Sequence, residues 1–185
     1  MRLGVLVSGR GSNLEAILDA GIPVALVISN RSGVRALEVA GRHEVPARLM
    51  RRADFAGADA RDAAIGAALT EAGVELAVLA GYDQVLRAPY FAAFSGRTVN
   101  IHPSLLPAHG GPGMVGLAVH RSVLASGDAV TGATVHEVTA DLDAGPVLAR
   151  VEVPVLPGDD PETLARRVLA EEHRLLVAAV RGLGA

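Results

Sequence analysis

An asparagine and a histidine, Asn100 and His102, lie two positions apart at the end of an apolar run that is typical of a buried strand. Side chains of a strand alternate between its two faces, so these two project to one side. Active sites of open α/β sheets gather at the carboxyl ends of their strands. An amide donor beside an imidazole suits a carbonyl oxygen that becomes anionic during acyl transfer. Position alone leaves a second interpretation open, a histidine whose hydrogen bonds are satisfied locally in a loop.

A glycine-rich segment, Ser8-Gly-Arg-Gly-Ser-Asn13, lies directly between a predicted strand and a predicted helix. Glycines let the backbone approach a ligand, and a helix N-terminus offers unpaired N–H groups to an anion. Leu14 replaces the third glycine of a dinucleotide-binding loop, and the second strand ends in Asn30-Arg31 without the acid that binds an NAD ribose. A mononucleotide phosphate therefore fits better than a dinucleotide. Arg31 leaves NADP open, and a tight turn without a ligand is the alternative.

Two acidic groups stand out in the second half of the chain. Asp143, in the turn 141–146, either reaches His102 and favours its protonated form or stabilises the turn through Asx geometry. Glu172 falls near the middle of an apolar stripe on the last predicted helix, where an unpaired carboxylate is costly. It either ends at the rim of the sheet, bonded to backbone, or meets a hydroxyl-rich ligand such as ribose. The stripe comprises Leu164, Val168, Leu175, Leu176 and Ala179.

The elements that must position these groups alternate between short apolar runs and longer Ala-rich ones. Strands that are apolar throughout and separated by helices predict a parallel sheet covered on both faces, which is a doubly wound α/β fold. The predicted strands are 3–8, 23–29, 45–49, 74–80, 98–102, 130–138 and 146–155. The predicted helices are 12–20 (with Ser12 near the N-cap), 33–43, 59–72, 86–94, 115–125 and one that starts at Asp160-Pro161.

Composition excludes several classes of protein. The 185 residues fit a single domain, 1–185, and the formal net charge of −3 argues against a general nucleic-acid binder. Zero cysteines exclude a disulfide scaffold, and the six histidines lack a metal-binding spacing, so we expect no metal. Apolar stretches end well short of the roughly 20 residues that span a bilayer. The glycine-rich loop from Ser8 argues against a signal peptide. We therefore expect a cytoplasmic protein without a membrane partner.

Three segments together resemble phosphoribosylglycinamide formyltransferases over nearly the whole chain. They are Ser-Gly-Arg-Gly-Ser-Asn at 8–13, Asn-Ile-His-Pro-Ser-Leu-Leu-Pro at 100–107 and Leu-Asp-Ala-Gly-Pro at 142–146. The second belongs to the wider group of 10-formyltetrahydrofolate hydrolases and transferases. The phosphate loop and the short length favour the purine-synthesis enzyme, since methionyl-tRNA formyltransferase and formyltetrahydrofolate deformylase carry an additional domain.

The resemblance implies a Rossmann-like formyltransferase fold, a mostly parallel sheet with helices on both faces. It implies transfer of a formyl group from 10-formyltetrahydrofolate to the amine of 5-phosphoribosylglycinamide, by a monomer or homodimer with small-molecule substrates, no nucleic acid and no metal. It also implies site residues. The catalytic ones are Asn100, His102 and Asp143; the substrate phosphate is bound by Gly11, Ser12 and Asn13, and the ribose by Glu172; folate is bound by Arg61, Asp83, Gln84, Val85, Leu86 and Asn100.

The sequence departs from the family at two loops. The family's folate loop usually reads Gly-Phe-Met-Arg-Ile-Leu, whereas residues 81–86 read Gly-Tyr-Asp-Gln-Val-Leu. The usual Pro-Gly after Leu-Leu-Pro is replaced by the longer Gly-Gly-Pro-Gly-Met-Val-Gly at 110–116, and related members carry a similar version. Two other functions remain open at this point: hydrolysis of 10-formyltetrahydrofolate, and a non-catalytic nucleotide-binding α/β protein.

Overall fold

A computed structural model describes residues 1–184 of the chain. The chain divides into two compact units, Met1–Val99 and a second that begins at Asn100, and the boundary falls inside strand β5. The strands are β1 Leu3–Val7, β2 Val24–Ser29, β3 Ala47–Leu49, β4 Leu76–Leu79, β5 Arg97–His102, β6 Val130–Glu137 and β7 Val147–Pro154; the helices are α1 Ser12–Asp19, α2 Arg35–Arg42, α3 Ala58–Glu71, α4 Ala88–Ala93, α5 Leu117–Ser126 and α6 Pro161–Leu183.

The first unit is built on parallel strands in the order β3-β2-β1-β4. Every residue of β1 and of β4 is buried, and both strands are apolar along their whole length. A parallel sheet with both faces covered by helices requires this continuous apolar sequence, because neither face of a strand meets water. The loops that follow β1, β2 and β4 therefore hold the polar groups of this unit.

The second unit contains the order β5-β6-β7, and β6 pairs with β7 in antiparallel fashion. The register is regular from Val130 to Val135 and shifts between Val135 and His136, so that His136 lies opposite Val147. A bulge of this kind bends a strand and redirects a side chain, and such bulges are common beside active sites. The shift lies one residue before the end of β6, where His136 becomes part of the candidate site.

Helix α6 is the long helix of the second unit. Asp160 caps it by accepting from the N–H of Thr163, and Pro161 occupies the first turn, as the sequence predicts. Its buried residues recur every fourth position: Leu164, Val168, Glu172, Leu176 and Val180. Leu175 and Ala179, which we predicted in this stripe, are half-buried, and Val180 replaces them. The buried position of Glu172 is confirmed.

The predicted fold class is confirmed. The strands belong to a seven-stranded, mostly parallel sheet, and each predicted strand and helix is present within a few residues of its predicted bounds. A short 3-10 helix at Arg52–Asp54 was not predicted; Ser12 lies next to the N-cap of α1, which is Gly11, so its predicted place near the N-cap is confirmed. Within residues 1–184, no helix is both long enough and apolar enough to cross a bilayer.

Candidate active site

The glycine-rich segment that begins at Ser8 leads into α1 at Gly11, which has a φ of 74° and is the N-cap of that helix. A Cβ at this position would lie 2.6 Å from Cα of Ala36, the second residue of α2, so both the backbone conformation and the packing require glycine. The first turn of α1 begins at Ser12, and the geometry of a helix directs the N–H groups of its first turn outward along the helix axis. Their direction and the helix dipole make this turn suited to an anion.

Arginines surround the start of this helix. Arg35 donates to the carbonyl oxygen of Arg10 at 3.2 Å and, together with Arg42, binds the carboxylate of Glu15 in the first turn of α1. Hydrogen bonds from both guanidinium groups lower the pKa of Glu15. The arginines thus neutralise the acidic group in the first turn of α1, the turn whose N–H groups are suited to an anion.

Asp83 connects three loops of the first unit. Its Oδ1 accepts from Ser8 Oγ at 3.0 Å and from Asn30 Nδ2 at 2.8 Å, and its Oδ2 accepts from Arg31. Its own N–H donates to Ser8 Oγ at 2.9 Å. Burial opposes ionisation, but the hydrogen bonds from Asn30, Gln84 and Ser8 and the charge of Arg31 lower the pKa of Asp83 overall. The loops after β1, β2 and β4 are therefore joined by one ionised carboxylate.

The side chains of two predicted folate contacts, Arg61 and Leu86, lie inside the protein. The Arg61 side chain is 1% exposed and donates to Asp62 Oδ1 at 2.7 and 3.0 Å and to Gln84 Oε1 at 3.1 Å. Leu86 is buried in the core, and the carboxylate of Asp83 is used inside the protein, whereas Val85 is exposed. The pair Arg61–Asp62 contacts the 81–86 loop and the residue after it: Arg61 donates to Gln84, and Asp62 Oδ2 accepts from the N–H of Arg87.

At the end of β5, the Asn100 side chain contacts a histidine that the sequence did not point to. Asn100 Nδ2 lies 3.0 Å from His136 Nε2, and His136 Nδ1 lies 2.9 Å from the carbonyl oxygen of Glu137. An amide NH₂ only donates and a carbonyl only accepts. His136 therefore carries its proton on Nδ1, is neutral, and takes one of the two amide hydrogens of Asn100.

His102 is 4% exposed, and its Nε2 lies 2.9 Å from the carbonyl oxygen of His109. His109 begins the glycine-rich part of the loop that follows β5. Further bonds hold this loop: Leu106 N–H donates to Thr134 Oγ1 at 3.1 Å, and Arg150 donates to the carbonyl of Leu106. The segment is therefore fixed to β6 and β7, although it contains little regular structure.

The predicted contact between Asp143 and His102 is replaced by two others. Asp143 Oδ2 accepts from the N–H of Gly111 at 2.8 Å, and Oδ1 lies 3.7 Å from His136 Nε2. Asp143 adopts a φ of 54°, which aspartate tolerates better than most residues. A Cβ on Gly145 would lie 1.9 Å from the carbonyl oxygen of Glu137, which explains the glycine of the 142–146 motif. The turn thus faces His136 and the glycine-rich loop.

Two buried histidines of the second unit, His120 and His136, have lowered pKa values. Burial lowers the pKa of His120 and that of His136, and the positive charge of protonated His102 lowers both further. For His136, the carbonyl of Glu137 and the charge of Asp143 act in the opposite direction and do not overcome burial. His120 Nδ1 is buried and has no hydrogen-bond partner within residues 1–184. Both histidines therefore favour the neutral form.

Sequence reasoning missed His136, His109 and Asp62. His136 had a local signal, because it is an imidazole near the end of a predicted strand and lies a few residues before the 141–146 turn. His109 had none: its partner Asp128 is nineteen positions away, and only the folded chain brings them together. The buried Glu172 was found because its position violates an apolar period.

Comparisons with known proteins identify the family. The Formyl transferase family profile matches residues 1–180. Phosphoribosylglycinamide formyltransferase of Mycobacterium tuberculosis (strain CDC 1551 / Oshkosh) is 47% identical over 186 residues, which covers 98% of this chain and 84% of that protein. The crystal structure of glycinamide ribonucleotide transformylase 1 from Symbiobacterium toebii has a TM-score of 0.92 at 46% identity, covering 98% of this chain and 86% of that one. That of phosphoribosylglycinamide formyltransferase from Brucella melitensis has a TM-score of 0.89 at 39% identity, covering 100% and 95%. The chain belongs to the formyl transferase family.

Proposed function

We propose that this protein transfers the formyl group of 10-formyltetrahydrofolate to the amine of 5-phosphoribosylglycinamide, a step of purine synthesis. The observation that carries the proposal is the placement of Asn100 and His102, two positions apart at the end of β5, in a chain 47% identical to a phosphoribosylglycinamide formyltransferase. The folate is a consumed co-substrate in this reaction. We propose no metal and no covalent enzyme intermediate, and the chain has no cysteine to form one.

Asn100 is proposed to stabilise the negative charge that develops on the formyl oxygen. Its amide has two hydrogens, and neutral His136 accepts one of them at 3.0 Å. The second hydrogen is left for the formyl oxygen, with the amide plane already fixed. A preorganised donor of this type typically contributes about 10²–10³ in rate.

His102 is proposed to supply positive charge and a proton. The amine nitrogen forms a bond to the formyl carbon while the bond from that carbon to folate N10 breaks; one proton leaves the amine and one proton reaches N10. His102 Nε2 donates to the carbonyl of His109, so Nε2 keeps its proton in this arrangement and Nδ1 is the nitrogen that changes protonation state. Asp143 is proposed to hold His136 and the glycine-rich loop beside this group through the contacts at 3.7 and 2.8 Å.

The remaining site residues are proposed as binding groups. Gly11, Ser12 and Asn13 would bind the substrate phosphate through the first turn of α1, and Glu172 the ribose hydroxyls. The loop 81–86 would bind folate through main-chain groups and the exposed side chain of Val85, because the side chains of Arg61, Asp83 and Leu86 are engaged inside the protein. A single domain over 1–185, a cytoplasmic location and a monomer or homodimer complete the proposal.

An absorbance assay of folate turnover tests this function. We expect 10-formyltetrahydrofolate to be consumed only when phosphoribosylglycinamide is present, with formylated amine as the product. Consumption without the amine, with release of formate, would instead support a hydrolase. Nucleotide binding without folate turnover under any condition would support a non-catalytic protein and refute the proposal.

A further inference from the structure

The His109 side chain is held at both of its ring nitrogens. Nδ1 lies 2.8 Å from Ser122 Oγ on α5, and Nε2 lies 2.7 Å from Asp128 Oδ2, just before β6. The ring is 12% exposed, whereas the Asp128 side chain is 42% exposed. Hydrogen bonds from His109 and Ser126 lower the pKa of Asp128, so the carboxylate stays ionised and remains a strong acceptor. We name this Ser122–His109–Asp128 arrangement the His109 clamp.

The clamp holds a strained backbone. His109 has a φ of 54°, in the left-handed region that non-glycine residues seldom adopt. Such a conformation is unfavourable by itself and persists only where several contacts of the surrounding structure hold it in place. The two hydrogen bonds to the His109 ring hold the residue in this conformation. The conformation places the His109 carbonyl oxygen 2.9 Å from Nε2 of His102.

The residues that follow His109 make the clamp necessary. Gly110 and Gly111 come next, and Gly113 and Gly116 follow within the same loop. Glycines lose more conformational freedom on folding than other residues, so this stretch would not hold a neighbouring carbonyl in place by itself. Gly111 N–H is fixed by Asp143, and the clamp fixes His109, two positions earlier. The carbonyl that meets His102 thus lies between two anchored points.

We propose that His109 is a positioning residue for His102, acting through its backbone carbonyl, with Ser122 and Asp128 as the side chains that keep this carbonyl in place. The proposal rests on the proposed function, since it assigns His102 a role in formyl transfer. The carbonyl keeps a proton on Nε2 of His102 and fixes the plane of the ring. The reactive nitrogen is thereby held in one orientation before substrate binds, which is the preorganisation that transfer needs.

Nitrogen NMR of the imidazole rings tests the bond itself. Chemical shifts distinguish a protonated ring nitrogen from an unprotonated one, and they can be assigned by comparison with a His102→Gln sample. We expect His102 in the unaltered protein to keep Nε2 protonated across its titration. In the double variant Ser122→Ala, Asp128→Asn, we expect the neutral ring of His102 to be a mixture of two tautomers, one protonated on Nε2 and one on Nδ1.

Kinetics test the consequence. We expect the double variant to lose about tenfold or more in kcat, because small displacements of a reacting group are costly, while KM for each substrate changes by less than about twofold. Asp128→Glu should recover part of the loss, since it restores a carboxylate. Asp19→Asn is the matched control: it removes the carboxylate of another His–Asp pair, at 3.8 Å from His43 in the first unit, and should change neither measurement.

Two results would overturn the proposal. One is a folded double variant whose His102 nitrogen shifts equal those of the unaltered protein, and the other is a kcat within about twofold of the unaltered value. If the double variant fails to fold, the single variants Ser122→Ala and Asp128→Asn decide the same two points. The NMR measurement needs no turnover, so failure of the proposed function, seen as no transfer by the unaltered protein, is distinguishable from failure of the clamp.

Discussion

Asn100 donates its side-chain amide to Nε2 of His136 across 3.0 Å, and this bond settles the charge state of the histidine. Nε2 can accept only when it has no proton, while Nδ1 donates to the carbonyl of Glu137. Protonating His136 at Nε2 would remove the acceptor and turn the amide of Asn100. A neutral His136 is therefore a condition for the orientation of Asn100, and burial, which lowers the pKa of His136, maintains that condition.

The depressed pKa values of His136 and His120 predict a loss of stability in mild acid. Below the usual histidine pKa of about 6.5, the unfolded chain binds protons that the folded chain does not, so the free energy of unfolding falls as pH decreases. The loss begins near that value and continues until the pH passes the lower pKa values of the folded state. We expect the melting temperature to fall between about pH 7 and about pH 5, as thermal unfolding at a series of pH values would measure.

The variants His120→Gln and His136→Gln separate this effect from the general effect of acid. Each removes one buried titrating group, and the glutamine side chain at 136 still offers an oxygen to Asn100. We expect each variant to show a shallower fall in melting temperature over the same interval. His43→Gln, on a histidine whose side chain is 32% exposed, is the control and should leave the slope unchanged. Equal slopes in all four proteins would contradict the prediction.

His102→Ala tests the central chemical role. We expect a decrease in kcat of about 10²–10⁴, the typical cost of losing a general acid or a charged donor, with folding and phosphoribosylglycinamide binding retained. Single-turnover kinetics and calorimetric titration of that substrate measure the two parts. A variant that keeps more than about a tenth of the original kcat would remove His102 from the mechanism.

Gly11 and Gly9 form a matched pair within one loop. Gly11→Ala would place a Cβ 2.6 Å from Cα of Ala36 in a residue with a φ of 74°, whereas a Cβ on Gly9 meets nothing within 4 Å. We expect Gly11→Ala to destabilise the protein by about 1–3 kcal/mol through strain and a forced shift of α2. It should also weaken binding of inorganic phosphate.

Gly9→Ala should unfold at nearly the same temperature as the unaltered protein, because its backbone is not in the left-handed region and its surroundings are open. Thermal unfolding of the two variants side by side is the measurement. Similar melting temperatures for both would show that the close approach of Gly11 to Ala36 does not constrain this loop.

Most of the fold was predictable from the sequence, while only part of the site was. Continuous apolar strands between helices fix a covered parallel sheet, and Glu172 was visible because a carboxylate in an apolar stripe breaks a local period. The partner of Asp143 was not predictable: its carboxylate lies 3.7 Å from His136, a residue of β6 that is brought close only by the folded chain. Local patterns show which residues are unusual, and tertiary pairing decides what they contact.

The buried pair Arg61–Asp62 predicts a link between stability and folate binding. Asp62→Asn would leave a guanidinium without its counter-charge where both side chains are at most 2% exposed, and breaking such a pair costs roughly 3–5 kcal/mol. Asp62 also accepts from the N–H of Arg87, and Arg61 donates to Gln84, so the 81–86 loop should lose its support. We expect a lower melting temperature and weaker folate binding.

Asp59→Asn is the control for that variant. Asp59 lies one turn earlier on α3 and pairs with Arg87 at 3.1 Å, but its side chain is 69% exposed. An exposed pair contributes at most about 1 kcal/mol, so this variant should melt and bind folate almost as the unaltered protein does. If Asp62→Asn lowers the melting temperature and leaves folate affinity unchanged, the pair stabilises the unit without shaping the loop.

Glu172 provides the last prediction, because it is a buried carboxylate that we propose to bind the ribose hydroxyls. The side chain is 8% exposed and already interacts within the protein, so Glu172→Gln, which keeps size and hydrogen-bonding atoms, is a milder change than truncation. Hydrogen bonds to a charged group contribute roughly 1.5–3 kcal/mol, and those between neutral groups about half as much. With ribose hydroxyls as ligands, we expect phosphoribosylglycinamide to bind about tenfold or more weakly, while folate affinity is unchanged. Glu171→Gln, on the neighbouring residue that pairs with Arg174, should affect neither substrate. Calorimetric titration of each substrate, together with a melting curve for each variant, measures both effects. A changed melting temperature with unchanged phosphoribosylglycinamide affinity would mean that the charge of Glu172 stabilises the fold and does not bind the ribose.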